Sequence, residues 1–180
     1  NCALFFITSR FFETMRLINS MTEVLLFTDG SVNAQSSVGY GAYLEVIDRT
    51  LSLDVYRTKV KTKRFEPTSS TRLELQTLLW ALKEVSEKEH RVIVHTDSQT
   101  IMGLLSRRER LEKNGFCSKE GRRLHNDELY QEFYRAVDQM DCEFVKVKGH
   151  QRSKCKDSMD EYFTLVDRAS RQALRNALQN

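Results

Sequence analysis

Two short apolar stretches of this chain, residues 24–27 and 91–95, both run directly into the dipeptide Thr-Asp. A few largely apolar residues that stop at turn-forming or capping residues are typical of a buried strand. Gly-Ser follows the first aspartate, Asp29, and a serine follows the second, Asp97. We therefore predict two buried strands that each end beside an aspartate.

The remaining segments predict an alternation of strands and helices. Residues 38–47 and 51–60 have the pattern of two further strands joined at a turn, and residues 61–70 follow as a basic loop. Leucines at helical spacing predict a helix over residues 71–88. The rest of the chain is predicted to hold helices at 99–106, 126–139 and 165–178, a charged irregular stretch up to 124, and a strand at 142–147.

This order of elements predicts an α/β fold. The first three strands form an antiparallel meander, whereas helices connect the later strands and therefore make parallel crossovers. We expect a mixed five-stranded sheet, three antiparallel strands followed by two parallel ones, with helices on both faces. Residues 21–180 are expected to form a single domain. Residues 1–20 are expected to be an extension upstream of a natural start at Met21.

The composition of the 180-residue chain excludes several classes of protein. The longest apolar run, residues 2–7, is far shorter than the roughly 20 residues of a membrane-spanning helix. The four cysteines form no C-x-x-C pair, so we expect reduced thiols in a cytoplasmic protein. The net charge is only +3, but cations are concentrated in residues 57–64, 106–124 and 146–156. Three such runs favour a polyanionic partner.

Three acidic residues occupy positions that a solvated surface does not explain. Asp29 and Asp97 each follow a buried strand, and ligands of open α/β sheets bind at the carboxyl ends of strands. Each also has a structural interpretation, because Asp97 could cap the next helix and Asp29 could shape an Asp-Gly turn. Glu74 lies on the flank of the apolar stripe of its helix, where a helix that only needed a core would carry an apolar residue.

Convergence of these carboxylates predicts a site for a hard metal ion. Clustered anions are costly unless a cation lies between them. Oxygen ligands without His or Cys favour Mg²⁺ or Mn²⁺ over zinc. Asp167 is a candidate fourth ligand, although an acid also stabilises a helix N-terminus at that place. His150 lies in a basic loop before the last helix, either as a proton carrier beside the site or as an ordinary exposed histidine.

Six motifs, taken together in their order and spacing, resemble type 1 ribonuclease H. They are TDGS at 28–31, GYGAYL at 39–44, TRLELQTLLWAL at 71–82, VIVHTDSQ at 92–99, KVKGH at 146–150 and DRAS at 167–170. No single fragment is diagnostic, but the ordered set is highly specific. The resemblance extends over nearly all of residues 21–180.

This resemblance implies the RNase H-like fold and an endonuclease that hydrolyses the RNA strand of RNA/DNA hybrids, leaving 5′-phosphate and 3′-hydroxyl ends. The family's D-E-D-D set falls on Asp29, Glu74, Asp97 and Asp167. These residues would hold two Mg²⁺ ions, for which Mn²⁺ could substitute. The mobile histidine of the family falls on His150.

The resemblance also implies the substrate contacts. By position in the family pattern, Ser70, Thr71 and Gln99 face the minor groove, where only the RNA strand carries 2′-hydroxyls. Asn33 and Ser69 lie nearer the DNA phosphate. The family often has amides where this chain has Ser70 and Thr71. The basic stretch 106–124 resembles the substrate-gripping protrusion of some members. We expect the RNA/DNA hybrid to be the partner of a monomer with no membrane association and no obligate protein partner.

One departure from the family pattern leaves the fourth ligand open. His150 and Asp167 are separated by 17 positions, several more than in compact bacterial members, and the segment between them carries Asp160 as an alternative ligand. We prefer Asp167, because DRAS with small residues on its helix face resembles the closing helix of the family.

Two other functions remain open from the sequence. Another two-metal nuclease of the same fold, such as a resolvase, an exonuclease or a retroelement RNase H domain, would carry similar acids. The chain could also be a catalytically silent nucleic-acid-binding module. Silence usually begins with loss of an acid, and all four candidate acids are present.

Overall fold

A five-stranded mixed sheet forms the centre of the molecule, as the sequence predicts. The computed structural model describes residues 23–85, 91–147 and 157–179; the extension expected at residues 1–20 lies outside them. The strands are β1 Glu23–Asn33, β2 Val38–Val46, β3 Lys61–Phe65, β4 Arg91–Thr96 and β5 Cys142–Lys146, in the order β3-β2-β1-β4-β5. The first three pair antiparallel, whereas β1–β4 and β4–β5 pair parallel. The fold class is confirmed.

β1 is longer than predicted, and the turn expected at Asp29-Gly30 is wrong. The strand pairs with β4 as far as Phe27 and then continues on β2 alone, with Asp29 opposite Ala42. The turn to β2 comes at residues 34–37 instead. There the side chain of Asn33 accepts hydrogen bonds from the backbone N–H groups of Gln35 and Ser36, at 2.9 and 3.2 Å. Asp29 therefore lies inside a strand, where its parallel neighbour ends.

Residues 51–60 do not form the predicted strand. Helix α1, Leu53–Lys59, occupies this segment, and its N-terminus is capped by the hydroxyl of Ser52, which accepts from the N–H of Val55 at 3.5 Å. Asp54 in the first turn also favours a helix, because its charge complements the helix dipole. The third strand, β3, lies in the segment predicted as a basic loop.

The other helices are α2 Ser70–Val85, α3 Gln99–Lys113, α4 Asp127–Gln139 and α5 Ser158–Gln179. α4 agrees with the prediction, α3 continues beyond its predicted end, and α5 begins about two turns earlier than predicted. The early start of α5 follows from a reciprocal cap, since the N–H of Asp160 donates to Asp157 at 2.9 Å and the N–H of Asp157 donates back at 3.3 Å. In the described ranges, no helix is both long and apolar enough to cross a membrane.

Two cores lie on opposite faces of the sheet. On one face, α2, α3 and α4 bury a cluster of leucines and valines with Phe133 and Tyr134. On the other face, α1 and α5 bury an aromatic cluster that includes Phe27, Tyr56 and Tyr162. We call these the α2 face and the α5 face.

Glycines in β1 and β2 bring α2 unusually close to the sheet. A Cβ placed on Gly41 would lie 2.0 Å from the hydroxyl oxygen of Thr77, and one on Gly30 or Gly39 would lie under 3.0 Å from Leu73. Gly30 and Gly41 are directly paired across the two strands. Leu73 and Thr77 of α2 therefore pack directly on the backbone of these glycines, on either side of Glu74 in the helix sequence.

Candidate active site

Asp29 and Asp97 lie level with each other at the carboxyl end of the parallel part of the sheet. Phe27 of β1 and His95 of β4 are directly paired, and each aspartate comes two residues later in its chain. Side chains two positions apart on a strand share a face. Asp29 therefore lies on the face of Phe27, which is the α5 face.

Asp29 is a largely buried carboxyl among other acids. Burial raises the pKa of Asp29 from 3.8 to about 6, and the charges of Asp167 and Asp97 act in the same direction. The hydroxyl of Ser170, on α5, donates to Oδ2 of Asp29 at 2.7 Å and opposes the rise. Three carboxyls, from β1, α5 and the end of β4, are thus within electrostatic reach of one another, an arrangement that favours a bound cation.

Glu74 reaches the same place from the α2 face. Burial raises the pKa of Glu74, the hydroxyl of Ser98 lowers it, and the charge of Asp97 raises it. That hydroxyl donates to Oε2 of Glu74 at 2.5 Å and also accepts from the N–H of Ile101, which caps α3. The structural interpretation of Asp97 as the helix cap is therefore wrong, because Ser98 is the N-cap of α3.

The structure places Asp167, and not Asp160, beside the other acids. Asp167 contributes to the electrostatic environment of Asp29 and forms an ion pair with Arg171 one turn further along α5, at 2.8 Å. Asp160 lies in the first turn of α5, where its carboxylate is used in the reciprocal cap with Asp157. Asp160 thus caps the N-terminus of α5, whereas Asp167, further along the helix, lies near Asp29.

A cluster of aromatic rings lies on the α5 face, next to Asp29. The rings of Phe27 and His95 are stacked with centroids 4.6 Å apart, and Tyr162 packs against Phe27. His95 is 6% exposed, and its Nδ1 has no hydrogen-bond partner among the described residues. Burial lowers the pKa of His95, so the ring is neutral at neutral pH. These buried rings are the apolar part of the α5 face next to Asp29.

The residues predicted to contact substrate, which we call the rim residues, lie at the end of β1 and at the starts of α2 and α3. Asn33 ends β1, and the N–H of Thr68 donates to the carbonyl oxygen of Ser37 at 2.8 Å, which ties the segment before α2 to the turn that follows β1. Ser69 and Ser70 are exposed at the start of α2, Thr71 is half-buried beside them, and Gln99 is exposed at the start of α3. His150 lies outside the described residues.

Three residues at the site were not predicted from the sequence as part of it: Ser98, Ser170 and Arg171. Each holds one acid, since Ser98 bonds Glu74, Ser170 bonds Asp29 and Arg171 pairs with Asp167. Helical spacing offered a signal for Ser170 and Arg171, because residues three and four positions after Asp167 lie on its side of the helix.

The donor set of the site fits a hard divalent cation. The four carboxyls provide only oxygen atoms, and burial, with the charges of Asp167 and Asp97, raises the pKa of Asp29, so a nearby cation would favour its ionised form. Within the described ranges, no three His, Cys, Asp or Glu side chains already stand in ligating geometry. A hydroxyl or a guanidinium holds three of the carboxylates, those of Glu74, Asp29 and Asp167.

Comparisons with known proteins agree with this geometry. The family model described as RNase H matches residues 21–175. A ribonuclease H of Idiomarina loihiensis is 30% identical over 145 residues, covering 79% of this chain and 86% of the relative. A ribonuclease H of Escherichia coli is 31% identical over 135 residues, covering 72% of this chain and 79% of the relative.

Solved structures show the same fold. The solution structure of the PFV RNase H domain superposes with a TM-score of 0.65 at 17% identity, covering 83% of this chain and 92% of that domain. The foamy viral protease-reverse transcriptase in complex with an RNA/DNA hybrid matches with a TM-score of 0.64 at 11% identity, over 84% of this chain and 20% of that one. From the family match, the relatives and the shared fold, the chain belongs to the ribonuclease H family, the enzymes that hydrolyse RNA paired with DNA.

Proposed function

We propose that this chain is an endonuclease that cuts the RNA strand of RNA/DNA hybrids, using divalent cations held by Asp29, Glu74, Asp97 and Asp167. The observation that carries the proposal is the convergence of acids from both faces of the sheet at one edge. Burial raises the pKa of Asp29, the hydrogen bond from Ser170 lowers it, and the charges of Asp167 and Asp97 raise it. Burial also raises the pKa of Glu74, the hydrogen bond from Ser98 lowers it, and the charge of Asp97 raises it. Members of this family generally depend on divalent metal ions.

Bound Mg²⁺, or Mn²⁺ in its place, would supply an activated water and stabilise the leaving oxygen of an in-line displacement. Water adds to the phosphorus, the bond to the 3′ oxygen breaks, and the products carry 5′-phosphate and 3′-hydroxyl ends. The four carboxylates would hold the cations, and the buried, stacked rings of Phe27 and His95 pack on the face that carries Asp29. His150 would carry a proton to or from the reacting groups.

The rim residues supply the selectivity in this proposal. Ser70, Thr71 and Gln99 would contact the minor groove, where 2′-hydroxyls distinguish RNA from DNA. Asn33 and Ser69 would lie near a phosphate of the DNA strand. The hydrogen bond from the N–H of Thr68 to the carbonyl oxygen of Ser37 joins the segment before α2 to the turn after β1, and this supports the assignment of Asn33 and Ser69.

We also propose that the chain works as a cytoplasmic monomer whose partner is the hybrid. The thiols of Cys117 and Cys142 are both free, as a reducing compartment would keep them. Burial raises the pKa of Cys142 to about 11, so this thiol stays protonated and unreactive at neutral pH. Light scattering of the free chain, and of the chain with a short hybrid, tests the monomer.

A labelled RNA tests the proposed reaction. The same RNA is presented as a single strand, as an RNA duplex and as an RNA/DNA hybrid, beside the matching DNA duplex, with Mg²⁺ or with a chelator. We expect cutting of RNA in the hybrid alone, dependent on Mg²⁺ and abolished in Asp97→Asn. Cutting of duplex DNA would assign the chain to another two-metal nuclease class. Binding of the hybrid without any cleavage would assign it to a silent module.

A further inference from the structure

The side chain of Ser170, on α5, crosses to β1 and holds an acid there. Its hydroxyl lies 2.7 Å from Oδ2 of Asp29, and the two residues are 141 positions apart in the chain. Ser170 is 0% exposed. Because no solvent reaches the hydroxyl, water neither competes for this hydrogen bond nor replaces it if it is lost.

The same hydroxyl has a second acceptor within its own helix. The carbonyl oxygen of Asp167 lies 3.0 Å from it, the local bond that a serine commonly makes in a helix. A hydroxyl has one hydrogen to donate. The charged and closer carboxylate is the stronger acceptor, so the hydrogen points to Asp29. If helix structure were the only requirement, the bond to the carbonyl would satisfy Ser170 without Asp29.

The bond fixes one oxygen of Asp29 and leaves part of the carboxylate available. An ionised carboxylate has about four lone-pair sites on its two oxygens. The backbone N–H of Gly30 also donates to this carboxyl, and the sites that neither Gly30 nor Ser170 occupies remain for a cation. Metal-binding carboxylates are generally oriented by such outer hydrogen bonds, whose loss weakens metal affinity by roughly 10- to 100-fold.

We propose that Ser170 is a positioning residue that holds the Asp29 carboxylate in the orientation in which it binds a divalent cation. This inference rests on the proposed function, because it assumes that Asp29 is a metal ligand. Ser170 itself touches neither the cation nor the RNA. It acts through Asp29, so its loss changes the affinity for metal more than the rate of the fully loaded enzyme.

The test measures metal binding without substrate. Mn²⁺ alone is titrated calorimetrically into the metal-free full chain, as wild type and as Ser170→Ala. We expect the dissociation constant for Mn²⁺ to rise by about 10-fold or more in the variant. In the cleavage assay, the Mg²⁺ concentration for half-maximal rate should rise by a similar factor, while the rate at saturating Mg²⁺ stays close to that of wild type.

Two further variants separate the hydrogen bond from packing. Thr58→Ala removes a helix hydroxyl that bonds a carbonyl three residues earlier at 2.8 Å and touches no acid, and it should leave Mn²⁺ affinity unchanged. Ser170→Cys keeps the side-chain volume but donates only a weak hydrogen bond, and it should lose affinity as Ser170→Ala does. It also replaces the alanine variant in the test if that variant fails to fold.

Several results would overturn the proposal. Unchanged Mn²⁺ affinity in Ser170→Ala, or a lower melting temperature as its only effect, would make Ser170 a structural residue. Full affinity in Ser170→Cys would show that volume matters and the hydrogen bond does not. If wild type binds no Mn²⁺ and cuts no hybrid, the proposed function fails along with this role. Binding and cleavage by wild type, with no change in the variants, would overturn the role of Ser170 alone.

Discussion

The two faces of the sheet deliver acids to the same edge by different physical means. On the α2 face, Glu74 is carried by a helix that rests on glycine backbone, because Thr77 and Leu73 fill the space that side chains at Gly41 and Gly39 would occupy. On the α5 face, Asp29 and Asp167 are held by individual side chains, Ser170 and Arg171.

This difference predicts how each half of the site responds to change. On the α2 face, a side chain added to one of the glycines would displace the whole α2 helix. Substitutions there should therefore affect stability and activity together. Side-chain bonds on the α5 face can be removed one at a time, so each substitution there should have its own separable effect. The predictions below test this contrast, beginning with the largest expected effect.

The largest effect is expected from Asp167, with Asp160 of the same helix as its control. Loss of an outer partner of a metal ligand costs roughly 10- to 100-fold, so loss of a ligand should cost more than about 100-fold. Asp167→Asn should therefore reduce cleavage of the hybrid by more than that factor. Asp160→Asn removes only a charge near the helix N-terminus, so it should keep nearly full cleavage at a stability cost of about 0.3–1 kcal/mol. The reverse result would make Asp160 the fourth ligand.

Asp29→Asn should stabilise the metal-free protein while it abolishes cleavage. Burial, with Asp167 and Asp97, raises the folded pKa of Asp29 to about 6 from an ordinary 3.8. This acid therefore holds its proton more tightly when folded, and its contribution to stability falls as pH rises between about 4 and 6. At about 1.4 kcal/mol per pH unit, its charge costs up to roughly 3 kcal/mol at pH 7 to 8.

Urea unfolding with chelator, from pH 4 to 8, measures this contribution. Asn removes the charge and can still accept from Ser170, so the variant should be the more stable protein at pH 8, and the gap should close toward pH 4. A variant less stable than wild type at pH 8 would mean that the acids of the α5 face are already compensated without a cation.

Gly41→Ala tests the backbone contact on the α2 face. The new Cβ would lie 2.0 Å from the hydroxyl oxygen of Thr77, so α2 must move away from the sheet. We expect a loss of about 1–3 kcal/mol of stability, as overpacking generally costs, together with slower cleavage because Glu74 moves with its helix.

Gly103→Ala is the control for this substitution. Its Cβ would meet only the flexible end of Arg107, at 3.2 Å, and alanine is the better helix former. Thermal unfolding should show a gain of up to about 1 kcal/mol. Equal stability in Gly41→Ala and wild type would break the contrast between the two faces.

The smallest effect is expected at Ser98, the hydroxyl on the α2 face that corresponds to Ser170. Ser98→Ala removes both the cap of α3 and the bond to Glu74. Loss of an N-cap costs about 1 kcal/mol. The variant should therefore lose stability and Mn²⁺ affinity together, whereas Ser170→Ala should chiefly lose affinity. Calorimetric titration beside thermal unfolding distinguishes the two outcomes.

Much of the fold could be predicted because apolar periodicity marks buried elements. β4 and α4 were predicted nearly at their observed bounds, and the mixed order of strands followed from the helices between them. The prediction of a strand at 51–60 was wrong, because the partly alternating apolar residues of this segment also suit a short helix. What decides between them is local, namely the hydroxyl of Ser52 and the charge of Asp54 at the helix start.

The acids of the site could be predicted, but their partners could not. Asp29 and Asp97 follow apolar runs, and Glu74 interrupts an apolar stripe, so each is conspicuous in the sequence. The bond from Ser170 to Asp29 joins residues 141 positions apart, and only the packing of α5 on the sheet creates it. The close approach of α2 likewise depends on glycines of two strands that become neighbours only in the folded sheet.

β3, the strand in the segment predicted as a loop, bears on whether copies of this protein aggregate. β3 lies at one margin of the sheet, has five residues, and exposes all of them but Phe65. Strands at a margin are templates for pairing with another chain, and short length and lysines discourage that pairing. The polar composition that made this strand resemble a loop therefore also protects the margin of the sheet against pairing with another copy.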